Sequence, residues 1–101
     1  MDLEEAIEIT TALYESCIQN NRPPSKKDDD VNNIQKYLVS LKENKPFQAR
    51  SHFSQVSFGG MGCFNDWLPR VIYKSPKNKY SGQSFKLICK EWIYTMRKIQ
   101  A

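Results

Sequence analysis

Apolar residues recur at steps of three and four along three long stretches of this chain, and that period is the strongest constraint on its fold. In residues 2–19 the stripe runs through Leu3, Ala6, Ile7, Thr10, Leu13, Tyr14, Cys17 and Ile18. A helix puts these side chains on one face, whereas a half-buried strand would need strict alternation. Asp2, Glu4 and Glu5 stand in its first turn, where carboxylates complement the positive end of the helix dipole. Asn20-Asn21-Arg22-Pro23-Pro24 ends it, because two prolines cannot continue a helix. The second stripe is Val31, Ile34, Tyr37, Leu38 and Leu41, closed by Lys42-Glu43-Asn44-Lys45. The aspartates of Ser25-Lys26-Lys27-Asp28-Asp29-Asp30 suit its N-cap and first turn. The last stripe, over residues 83–99, is Phe85, Ile88, Cys89, Trp92, Met96 and Ile99, supported by Leu87 and Ile93, with Ser81 or Ser84 as the cap.

The interval between the second and last helices is less regular. Pro46 suits the first position of a short third helix that buries Phe47, Phe53 and Val56 and stops before Gly59-Gly60. Residues 67–73 read as extended, either a short edge strand or a loop, since Pro69 cannot donate to a ladder. Residues 74–82 read as a polar loop. The expected fold is therefore all-α, or mostly α: about four helices in one small bundle, with a glycine-rich turn and a short extended segment before the last helix. Residues 1–101 form a single domain, because two cores in 101 residues would each be too small to fold.

Three of the four glycines fall at Gly59, Gly60 and Gly62. The run lacks the Lys-Ser/Thr of a phosphate-binding loop and the spacing of a dinucleotide fingerprint. Interleaved apolar residues distinguish it from a flexible linker. We read Gly59, Gly60, Met61, Gly62, Phe64, Asn65 and Asp66 as a structural turn, with the Asn and Asp side chains bonding local backbone. The run Gly59-Gly60-Met61-Gly62-Cys63-Phe64-Asn65-Asp66 resembles the Gly-Gly-Met-Gly-Ser-Phe-Asn-Asp motif of a family of small, largely uncharacterised bacterial proteins. In that family a helical N-terminal half leads into the motif, and an extended apolar stretch, a polar loop and a terminal helix follow. This chain has the same order. It departs at Cys63, where the family usually has Ser, and at Trp67-Leu68-Pro69, which replaces a plain aliphatic run. The resemblance implies an immunity-like factor that neutralises a toxin, and it implies no catalytic residue.

The residues available for chemistry are few. Cys17, Cys63 and Cys89 have no metal-ligand spacing, and His52 is the only histidine, so neither a metal site nor a cofactor is expected. The cysteines suit reduced thiols in a cytoplasmic protein. Cys63 and His52 are a formal nucleophile–base pair, but nothing in the sequence brings them together. The triple aspartate lacks the glycine and the final glutamate of a calcium loop. The expectation is a non-enzymatic protein.

Charge supplies the candidate interface. The net charge is +4, but residues 1–20 carry five acids and no base, whereas residues 70–101 carry eight bases and one acid, Glu91. The two poles are either matched inside the molecule, between the first and last helices, or solvated, or used on a partner. For a protein partner, a cognate toxin, the candidate contacts are Glu4, Glu5, Glu8 and Glu15, or Arg70, Lys74, Lys77 and Lys79. The alternative is a small nucleic-acid-binding protein using Lys74, Lys77, Lys79, Lys86 and Lys90, with Tyr73, Tyr80 and Phe85 as stacking partners. No apolar run is long enough to span a membrane. Oligomeric state is left open.

Overall fold

A computed structural model describes residues 3–22, 24–45, 56 and 72–100. Among these residues there are three helices, α1 (Leu3–Gln19), α2 (Asp29–Lys42) and α3 (Phe85–Gln100), and no strand beyond one isolated bridge, Ser25 to Asp28. The all-α class holds. Of the expected third helix only Val56 is described, and it is buried in the common core. The glycine motif, Gly59 through Asp66, lies outside the described residues, as do Arg70, Cys63 and His52. At Ile72 and Tyr73 the expected extended stretch forms no strand.

Each helix end has a local cause. Asp28 caps α2, its carboxylate accepting from the Val31 N–H at 3.2 Å, and Arg22 Nε donates to the other oxygen at 2.5 Å. Ser84, rather than Ser81, caps α3 by accepting from the Leu87 N–H at 3.2 Å, so the helix starts at Phe85, two residues later than the period suggests. The C-termini of α1 and α2 are closed alike. Asn21 and Asn44 take left-handed φ values of 62° and 59°. The N–H of Arg22 then reaches the Cys17 carbonyl at 2.8 Å, and that of Lys45 reaches Ser40 at 2.8 Å. Both are Schellman closures with asparagine where glycine is usual, since Asn tolerates this region best among residues with a side chain. The asparagine, as well as the prolines beyond it, thus ends α1.

α1 packs against both α2 and α3. One buried cluster joins all three helices, with Ala6, Ile9, Leu13 and Cys17 from α1, Ile34, Tyr37 and Leu41 from α2, and Ile88, Trp92 and Met96 from α3. Because α1 touches two helices and a loop, its buried arc is wider than its apolar stripe. Ile9 and Ala12 are fully buried although the stripe omits them, while Ile18, which the stripe includes, is 40% exposed. Leu87, expected to support the α3 stripe, is exposed. Trp92 is the centre of the seam. Its indole N–H donates to Thr10 Oγ1 at 3.0 Å, and its ring meets Tyr37 edge-on at 5.8 Å between centroids.

Candidate functional site

Residues Glu5, Glu8, Ala12, Glu15 and Gln19 follow one another at steps of three and four, so they form one stripe along α1 beside its buried arc. Loop 73–83 lies along this stripe. The loop is closed by bonds of its own. Ser75-Pro76-Lys77-Asn78 is a β-turn closed by the Asn78 N–H donating to the Ser75 carbonyl at 3.1 Å, with proline where its fixed φ fits. Asn78 Oδ1 accepts from the Tyr80 N–H at 2.9 Å, an Asx turn. Ser81 Oγ accepts from the Ser75 N–H at 2.9 Å. Gly82, at φ 90°, lets its own N–H return to the Tyr73 carbonyl at 2.7 Å.

The loop then meets α1 rung by rung. Tyr80 Oη and Lys79 Nζ both donate to the Glu5 carboxylate. The Lys79 N–H donates to Glu8 Oε1 at 2.8 Å, and Asn78 Nδ2 donates to the Glu8 carbonyl at 3.0 Å. Tyr73 Oη donates to Glu15 Oε1 at 2.5 Å. Gln19 bonds Lys74 in both directions, accepting from its N–H at 3.1 Å and donating to its carbonyl at 2.8 Å. Burial and the Glu15 carboxylate push the Tyr73 hydroxyl up to about 12, and burial with Glu5 raises Tyr80 further, so both stay protonated donors at neutral pH.

The ion pair of Lys79 with Glu5 joins the acidic helix to the loop, while Glu8 and Glu15 accept from neutral donors, the Lys79 backbone N–H and the Tyr73 hydroxyl. Of the acidic candidates, Glu5, Glu8 and Glu15 hold the loop, and Glu4 is exposed beside them. Of the basic candidates, Lys79 is held by Glu5, while Lys74 and Lys77 are exposed. Tyr73, expected as a stacking platform, is fully buried, as is Phe85, and Tyr80 is half-buried against Glu5. Gln19 and Asn78 were not anticipated. The signal for Gln19 was the step of three and four that it shares with the three glutamates.

The two described cysteines lie away from this loop. Cys17 and Cys89 are unbridged and buried in the core. Burial outweighs the nearby Arg22 guanidinium and pushes the Cys17 thiol up to about 12, and burial with Cys17 raises Cys89 further, so neither is a thiolate. Among the described residues no group of His, Cys, Asp or Glu could hold a metal ion, and no helix is long and apolar enough to cross a membrane. On its far side α3 is cationic. Lys86, Lys90, Arg97 and Lys98 are exposed around Tyr94, which is 60% exposed with Lys98 Nζ 4.3 Å from its ring centroid. Comparison with protein-family models, with curated proteins and with solved structures finds no match for this chain.

Proposed function

We propose that this chain is a non-enzymatic, cytoplasmic bacterial protein that binds another protein, acting as an immunity factor that neutralises a cognate toxin by direct contact. The observation that carries the reading is the clamped loop. A loop held by a rigid scaffold, with charged side chains left on its outer side, is the usual form of a recognition element. The sequence motif Gly59 to Asp66, through its family resemblance, supports the same reading. Affinity capture from the native cell tests it. The expected result is a protein recovered in stoichiometric amount, whose toxicity is relieved by co-expression of this chain. Recovery of nucleic acid with no protein partner refutes it.

A second reading has its own support. Exposed Tyr94 among Lys90, Arg97 and Lys98 provides cations beside an open aromatic face, which suits single-stranded nucleic acid. Retention on heparin that falls steeply with salt, together with a gel shift, is its signature.

A further inference from the structure

We propose that the outer face of α3, built from Lys86, Lys90, Tyr94, Arg97 and Lys98, binds single-stranded nucleic acid without sequence preference, its four cations on phosphates and a base stacked on Tyr94. The proposal goes beyond toxin binding. It rests on the nucleic-acid reading and names the face, the strandedness of the ligand and the role of each side chain.

The helix period places these residues together. Ile88, Trp92 and Met96 turn α3 toward the core. Lys86, Lys90, Tyr94 and Lys98 each stand two positions from a member of that stripe and recur at steps of four, so they share the opposite side. Arg97 is three positions from Tyr94 and joins the same strip. All five are exposed, and the strip runs for about 18 Å along the helix. The Lys98 Nζ, 4.3 Å from the Tyr94 ring centroid, shows the adjacency directly.

The strip has one sign of charge. Arg22, Lys45 and Lys79 are paired with carboxylates, but none of the four cations of α3 has an ion pair among the described residues. The one acid of α3, Glu91, is half-buried, and its charge acts on Tyr80 of the loop. A partner must therefore bring anions in a row. Lysine is depleted at protein interfaces, whose centres are poor in charge, whereas nucleic-acid interfaces are strongly cationic.

Tyr94 decides the strandedness. At 60% it is the most exposed large hydrophobic side chain among the described residues. Lys98 sits over one face of the ring, and the exposure leaves area for a base on the other. A duplex keeps its bases stacked inside and would leave that ring unused. Stacking accepts every base, and the strip carries no Asn or Gln to pair with a base edge.

The test is fluorescence anisotropy of a labelled oligothymidine with the full chain over a range of salt, with an unlabelled duplex and polyglutamate as competitors. Single strands lose affinity with a log–log salt slope of about −0.7 per phosphate neutralised, so four contacts give about −3. Lys86→Gln/Lys90→Gln should bring the slope to about −1.4. Tyr94→Ala should weaken binding about fivefold or more at an unchanged slope, and Tyr94→Phe should restore it. Lys74→Gln/Lys77→Gln should change neither. Thermal midpoints equal to the parent's separate lost binding from lost fold, since every substituted side chain is exposed. A slope that falls with the loop pair and not with the α3 pair overturns the face and leaves the nucleic-acid reading standing. Indifference to Tyr94→Ala, or competition by the duplex equal to that by the single strand, overturns the single-strand assignment. Equal competition by polyglutamate overturns the proposal in favour of an acidic protein. No binding at low salt overturns both the proposal and the nucleic-acid reading.

Discussion

α1 is joined to the C-terminal third of the chain twice, and the two joints differ in kind. One is the seam where Thr10 and Trp92 meet beside Tyr37, fully buried and mostly apolar. The other is the ladder from Glu5 to Gln19 on loop 73–83, polar and partly wet. The seam excludes water, so it depends on shape and on the buried hydrogen bond from Trp92 to Thr10. The ladder keeps access to water, so each rung is individually weak and the geometry of the whole is what counts. The seam fixes whether the molecule folds, and the ladder fixes how the loop is held.

Breaking the seam should have the largest effect. Trp92→Ala should destabilise by about 3–5 kcal/mol through the cavity it leaves, read as a fall in the urea midpoint. Alkali should come next. Tyr73, Tyr80, Cys17 and Cys89 all hold their protons more tightly folded than unfolded. Their contribution is complete below the ordinary values of 9 for Cys and 10 for Tyr and is lost as pH rises toward the raised ones. Urea midpoints should therefore decline from about pH 9 upward, and a flat profile to pH 11 would contradict the burial of these groups.

Thr10→Val keeps the shape and removes the acceptor of the Trp92 N–H, at a cost of about 1–3 kcal/mol. Tyr73→Phe removes one rung and should cost about 1 kcal/mol, with faster amide exchange at Lys74 and Gly82. Glu5→Gln should be smallest, below about 1 kcal/mol, because the amide still accepts from Tyr80 and the lost charge is partly screened. Added salt should reproduce the Glu5→Gln effect and leave the Trp92→Ala effect unchanged. Equal salt sensitivity of the two would erase the distinction between seam and ladder.

The two joints also differ in what their residues disclose in advance. The seam was legible in part. Trp92 and Thr10 each belong to a stripe at helical spacing, and burial follows from that period, although their hydrogen bond does not. Ile9 and Ala12 were missed because a single stripe describes one neighbour, and α1 has three. The ladder was illegible as a contact. Its partners are separated by more than fifty residues, and a glutamate on a helix reads the same whether it faces water or a tyrosine hydroxyl. Lys79 and Lys77 illustrate the limit: they are the same residue type, two positions apart, one bonded to Glu5 and one at the open corner of a turn. Only the closure of the loop by Asn78 and Gly82 separates them.

The placement of α1 between α2 and α3 has a consequence for the order in which the chain acquires structure. α1 and α2 are close in sequence and can pair early, but the surface of α1 that receives Trp92 and Tyr73 waits for residues made more than fifty positions later. During synthesis the emerging first half therefore exposes Ile9, Thr10 and Leu13 with no cover from α3. Contacts of long sequence separation form late and slowly. A nascent chain arrested before residue 85 should thus be a substrate for chaperones, and emergence of α3 should be the step that commits these helices to their native packing.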